Sequence, residues 1–246
     1  MFTKTPSLCR SLLACGLVLL GSLANAQAID YPTRTIKFVV PFPSGSGTDQ
    51  AAREAANDIT RRTGQPVIVE NKPGANGLIA AQQVARAAPD GYTVFITSMT
   101  TQSVNPFLYK KLPYDPVADF IPVAMISKTA MVLVVRNTED QPKSVAELTA
   151  RMQAAGSKLS FASGNTSSLV AGKTYSNAVS SPALHVPYKG IPQAVTDLMA
   201  GAVDFMFSDL TVATPLVQQG RLRGLGVTGP ARVSTLPDVP TMREAG

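Results

Sequence analysis

The feature that most limits this fold is a strand that runs into a loop of small residues, with the loop opening directly into a helix. Phe38-Val39-Val40 is an apolar run ended by Pro41-Phe42-Pro43. Ser44-Gly45-Ser46-Gly47 adds little side-chain bulk, and Thr48-Asp49-Gln50-Ala51 begins a helical pattern. Such a junction gathers backbone N–H groups at a helix N-terminus, where the dipole favours negative charge. Without bulky side chains in the way, a ligand reaches the backbone itself. The segment predicts a cradle for an anion.

Apolar periodicity along the chain alternates between strand and helix, which predicts an α/β fold. Strands are expected at 36–41, 66–70 and 92–96. A first helix is expected with Thr48 as N-cap, Asp49 in its first turn and Gly64 past its end. A second helix is expected at 78–88, preceded by the turn-rich Asn71-Lys72-Pro73-Gly74-Ala75-Asn76-Gly77. A hydroxyl-rich loop is expected at 97–103. In parallel strand–loop–helix units, ligand loops lie at the carboxyl ends of the strands. The loops at 43–49 and 97–103 are therefore expected to share one crevice.

Beyond Leu112, prolines at 113, 116 and 122 interrupt the pattern. Paired strands at 121–126 and 131–135 are expected there, as a crossover into a second lobe. Ser144 and Glu147 predict a capping box for a helix at 144–155. A strand at 159–162 then leads into Ser163-Gly164-Asn165-Thr166-Ser167-Ser168, a second strand–loop–helix junction. Further strands are expected at 184–186, 203–207 and 222–227, with helices at 192–199 and 211–218. Glu244-Ala245-Gly246 reads as a helix end. The organisation expected is a signal at 1–26, a first lobe beginning at 27–125, a second lobe at 126–225, and an incomplete return to the first lobe at 226–246.

Residues 1–26 have the pattern of a secretion signal: Lys4 and Arg10, an apolar stretch, then Ala24-Asn25-Ala26. An alternative reading makes Cys15 a lipid-modified cysteine. Both cysteines, Cys9 and Cys15, lie in this segment. The processed chain would have no disulfide, thiol nucleophile or thiolate metal site, which suits a bacterial periplasm. Without Lys4 and Arg10, the formal net charge of +6 falls to about +4. The charges are dispersed, whereas nucleic-acid binding calls for a basic stripe. A mild surplus biases the chain toward anionic ligands.

Several chemistries fit poorly. Gln50 occupies the third glycine position of a dinucleotide fingerprint, and no phosphate-loop lysine motif is present. Ser44 and Ser46 sit where a nucleophile elbow would place a serine, but neither has the flanking glycines. The one histidine, His185, falls inside a short apolar strand and reads as structural. Little acid–base chemistry is left, and a histidine metal site would lack ligands. A small serine hydrolase using Ser44 or Ser46 is the alternative from another class.

Binding without chemistry fits better. Ser44, Ser46, Thr48, Thr97, Ser98, Thr100, Thr101, Ser163, Asn165, Thr166, Ser167 and Ser168 are neutral hydrogen-bonding residues on the expected cleft loops. With backbone N–H groups they can hold a carboxylate reversibly. Asp49 either serves only the helix dipole or faces the cleft, where it favours an ammonium or hydroxyl. Tyr188 and Lys189 follow a strand end and could reach the cleft from the second lobe.

An ordered set of segments resembles one family. These are Tyr31-Pro32, Pro41 to Asp49, Val69-Glu70-Asn71-Lys72-Pro73-Gly74-Ala75, Ala88-Pro89-Asp90-Gly91-Tyr92-Thr93, Leu112-Pro113-Tyr114-Asp115-Pro116, His185-Val186-Pro187-Tyr188-Lys189-Gly190 and Leu236-Pro237-Asp238-Val239-Pro240-Thr241. The chain is similar to the substrate-binding proteins of tripartite tricarboxylate transporters, the Bug receptors. The resemblance implies a two-lobed periplasmic binding protein of type II, with its cleft between the lobes. It implies a monomer without cofactor that delivers a small carboxylate to membrane permease subunits. A sensor receptor feeding a signalling partner is the alternative within binding proteins.

By that resemblance the loop of Phe42, Ser44, Gly45, Ser46, Gly47, Thr48 and Asp49, with Thr97, Ser98 and Thr100, pinches a ligand carboxylate. Ser163, Asn165, Ser167, Tyr188, Lys189, Ser208 and Asp209 would meet the rest of the ligand. Ser46 stands where the family usually has glycine. Family members continue past the position of Gly246, so a first lobe ending there is expected to leave apolar surface uncovered.

Overall fold

Ile36–Val40 is bounded by Pro41 and alternates buried and exposed side chains at its start, so it pairs as a strand (β1). A computed structural model describes residues 30–128, 130–155 and 158–246. The expected signal at 1–26 lies outside the described residues. Arg34–Gly246 forms one unit, separate from the segment ending at Thr33. Among the described residues no helix is long and apolar enough to cross a membrane.

β1 is the centre of a three-stranded parallel sheet in the order β2-β1-β3, with β2 at Val67–Asn71 and β3 at Thr93–Phe95. Helix α1, Gly47–Thr63, packs Ala52 and Ala56 on Ile36, Phe38 and Val40. Small alanines let the helix axis approach the sheet closely. The N-cap of α1 is Ser46, not Thr48: Ser46 Oγ accepts from Asp49 N at 3.3 Å. Two residues earlier than expected, the helix still has an oxygen over its third amide. Gly64 ends it with φ 72°, as expected. Helix α2, Leu78–Ala85, lies against β1 and β3.

The hydroxyl-rich stretch at 97–103 is only partly a loop. A π-helical turn begins at Thr100 and runs into the short helix α3, Asn105–Leu108. The strand expected at 121–126 is absent. Residues 121–128 have no regular structure and are exposed, with Ile121 and Val123 each 85% exposed. The apolar alternation is present, but among the described residues β3, the edge of the first sheet on its side, has no further strand paired to it.

The second sheet has five strands in the order β6-β5-β7-β4-β8. They are β4 Met131–Arg136, β5 Ser160–Ser163, β6 Leu184–Pro187, β7 Phe205–Asp209 and β8 Leu222–Val227. β4 runs antiparallel to both neighbours, while β5, β6 and β7 are parallel. Period-2 alternation divides β4 between two cores. Val132 and Val134 pack with α6, Ile191–Ala200, and α7, Leu210–Gln218. Leu133 and Val135 pack with α4, Val145–Ala155, and α5, Thr166–Ala178.

Residues 227–245 lie against the second sheet. Val227 N donates to Pro240 O, and Met242 N to Val227 O, both at 2.8 Å. Leu236 and Val239 join one core of the second sheet, and Met242 and Ala245 pack on the other. The assignment of 226–246 to the first lobe is therefore corrected. Residues 242–245 form a turn closed by Ala245 N to Thr241 O at 3.0 Å, where a helix end was expected.

Candidate functional site

The amides of the first cradle are bonded within the protein. Gly45 N donates to Asp49 Oδ2 at 2.9 Å, and Ser46 N to Pro43 O at 3.2 Å. Asp49 is buried. Its carboxylate also accepts from Asn71 Nδ2 at 2.8 Å and from Arg53 Nε at 3.0 Å. Burial pushes its carboxyl up, but the bonds from Arg53, Gly45 and Asn71 outweigh this and hold it below the usual range. Both oxygens are committed, so Asp49 braces the loop of β1 against the end of β2. It is not free to read a ligand's ammonium group. Arg53 and Asn71, which bond each other at 3.1 Å, complete this brace and were missed in the sequence.

The two lobes touch along the same loop. A Cβ built on Gly190 would lie 2.6 Å from Pro43 Cγ, so the proline ring sits directly over that glycine. Gly45 faces Pro192, and Gly47 faces Asp209 and Thr211. Two cavities adjoin this contact line.

The smaller, of about 590 Å³, is walled by Pro41, Phe42 and residues 73–77 from the first lobe, and by Gly164 and Pro187-Tyr188-Lys189 from the second. In the sequence the Gly74–Gly77 turn reads only as a connection. It lies here because parallel strands put the loops after β1 and β2 at one end of the sheet. Ala75 and Asn76 have φ of 47° and 51°, a left-handed conformation costing on the order of 1 kcal/mol each. Asn76 is held by Tyr109 Oη at 2.9 Å and by Asn105 Nδ2, which donates to its carbonyl at 3.0 Å. Tyr188 Oη donates to Asp197 at 2.8 Å, which fixes the ring. Burial, with Asp197 beside it, pushes the Tyr188 hydroxyl pKa up. Lys189 is exposed and has no ion-pair partner among the described residues.

The larger cavity, of about 1760 Å³, has Gly47, Thr48, Ser98, Asn165, Ser167 and Asp209 in its wall, together with apolar side chains such as Met99, Val170 and Met242. The sequence-derived residues thus divide between two cavities. Ser44, Gly45, Ser46 and Asp49 line neither.

Others lie behind the walls. Thr97 bonds Thr101 through their hydroxyls. Ser208 is fully buried, with its hydroxyl directed at Asp209 O. Thr100 and Thr166 are buried with hydroxyls that find no partner, on elements that touch across the lobes. Asn165 caps α5, with Oδ1 accepting from Ser168 N at 2.8 Å.

The serine that meets the one histidine is Ser163, not Ser44 or Ser46: its Oγ lies 2.7 Å from His185 Nε2. His185 stacks on Phe161 with centroids 5.0 Å apart. Burial, and then the Lys173 charge, hold its pKa below the ordinary value. Among the described residues no carboxylate bonds its other ring nitrogen, and no three His, Cys, Asp or Glu side chains form a metal cluster.

The model of the tripartite tricarboxylate transporter family receptor matches residues 51–246. The chain belongs to this family. It is 37% identical over 239 residues to the UPF0065 protein in the tcbD-tcbE intergenic region of Pseudomonas sp. strain P51, covering 96% of this chain and 70% of that one. Its fold matches a Rhodopseudomonas palustris protein solved with adipate, at TM-score 0.85 and 32% identity, over 88% of this chain and 73% of that one. It also matches the periplasmic binding protein BugD, at TM-score 0.76 and 35% identity, over 88% and 72%. The two sheets are thus the two lobes of a type II periplasmic binding protein, in a family of solute-binding receptors.

Proposed function

We propose that this receptor captures a small organic carboxylate in the periplasm and hands it, as a monomer, to the membrane subunits of a tripartite tricarboxylate transporter, without catalysis. Lys189 carries the reading. It is the one charged side chain in the wall of the smaller cavity, which both lobes enclose at the carboxyl ends of their strands. A cation there compensates a carboxylate's lost hydration through charge-assisted hydrogen bonds. Gly74, Gly77 and Gly164 expose backbone in the same wall, while Phe42, Pro41, Pro73 and Pro187 offer an apolar surface to a carbon chain. The adipate in the R. palustris relative supports a dicarboxylate. The expected signal at 1–26 supports export.

Thermal melts of the purified chain with C4 to C6 dicarboxylates and their diamides test the reading. A dicarboxylate should raise Tm in proportion to RT ln(1 + [L]/Kd), and its diamide should not. Lys189→Met should weaken binding about tenfold or more, the worth of a hydrogen bond to a charged group. A melt that no carboxylate moves, or a Lys189→Met chain that binds as tightly as the parent, refutes it.

A further inference from the structure

Asp209 occupies the N-cap position of α7 but makes no side-chain bond to its own helix. Its carboxylate turns instead to the other lobe and lies against Gly47, the first residue of α1. Asn165, whose Oδ1 caps α5, shares the same cavity wall with Asp209. The fit around Gly47 leaves no room: a Cβ there would lie 3.0 Å from Asp209 Oδ2 and 2.7 Å from Thr211 Oγ1. One carboxyl of the second lobe therefore sits at the N-terminus of α1, where the dipole and free amides favour an anion against the burial that pushes its pKa up. It does so across the line where Pro43 meets Gly190.

We propose that Asp209 is an inter-lobe latch: it plugs the N-terminus of α1 and holds the two lobes together with or without ligand in the cleft. The latch goes beyond the proposed carboxylate capture, since it needs only the two-lobed fold. It also gives Gly47 a reason to be glycine, because the carboxylate can dock only on a bare Cα. A receptor latched in this way has its binding-competent, closed form already populated. Its apparent affinity then suffers less from the fraction that stands open.

The test measures the inter-lobe distance in ligand-free protein. Spin labels are placed at Asn57→Cys on α1 and Gln153→Cys on α4, with Cys9 and Cys15 replaced by serine. In the parent the short-distance population should dominate. Asp209→Ala removes the latch and Gly47→Ala wedges it, so each should lower the ratio of short to long distances about tenfold, as loss of a charged hydrogen bond does. The double variant should open no further than either single one, because both break the same contact. Circular dichroism on each variant checks that the second sheet is intact. Asp209→Asn, which keeps an acceptor oxygen, should fall between parent and alanine. Unchanged distances in Asp209→Ala and Gly47→Ala, or additive opening in the double variant, overturn the latch. So does a result in which Asp209→Ala weakens only ligand binding, which would make it a ligand contact. The distances are measured without ligand and binding is measured apart from them, so failure of the latch and failure of carboxylate capture are read separately.

Discussion

A single carboxylate organises the first loop. Asp49 gathers Gly45 N, Asn71 Nδ2 and Arg53 into one buried junction, tying the loop after β1 to the end of β2. Asp49→Ala leaves Arg53 and Asn71 without their acceptor. It should cost about 1–3 kcal/mol, the range for a lost buried hydrogen-bond partner, read from urea unfolding at pH 7. The pH dependence follows from the lowered pKa. The unfolded chain takes up a proton near 3.8, the folded chain only below that. Asp49 therefore contributes stability that is present above the unfolded value and lost as pH falls through the folded one. Parent and Asp49→Asn should differ most at neutral pH and converge as pH falls through that window. A gap that stays constant down to pH 3 would contradict the ionised brace. The role was hidden in the sequence because a first-turn aspartate has a ready local explanation in the helix dipole. The partner that makes it a brace, Asn71, lies at the end of another strand.

Elements with strong periodicity were legible and their partners were not. Strand β8 falls where its apolar run predicts, and α1 ends at the glycine that marks it, because each depends on local pattern. The 121–126 segment has the same alternation but no strand, because a strand also needs a neighbour to hydrogen-bond. The Gly74–Gly77 turn was legible as a turn from its Pro-Gly and Asn-Gly pairs, but not as a cavity wall, which depends on strand order. The second lobe's wall is set by a similarly non-local contact. Gly164 abuts the start of α6, and a Cβ on it would lie 2.2 Å from Gly190 C and Ile191 N. Backbone atoms cannot swing aside as a flexible side chain can. Gly164→Ala should therefore destabilise by about 1–3 kcal/mol, as overpacking does, and should move the β5 loop out of the cleft. A variant with unchanged urea midpoint and unchanged dicarboxylate affinity would show that the two loops are not in contact in solution.

The two lobes are unequal in their means of support. The second sheet is covered on both faces, by α6 and α7 on one and by α4 and α5 on the other, and the chain end adds Leu236, Val239 and Met242. The first sheet has three strands and, among the described residues, one cluster of seven buried apolar side chains. With about 1.5–3 kcal/mol for each large side chain fully buried, the second lobe should open only with global unfolding. The first should open at lower free energy. Hydrogen exchange should therefore be slowest in β4 and β7, where Val132, Leu133, Val134, Val135, Phe205 and Met206 are fully buried. It should be faster in β2 and β3, whose residues are mostly half-exposed. A bound dicarboxylate that bridges the lobes links the weaker to the stronger. Its protection should then appear mainly in the first lobe, around residues 41–49 and 73–77. Equal exchange in the two sheets, or ligand protection confined to β4 and β7, would show that the lobes share one stability and that closure does not couple them.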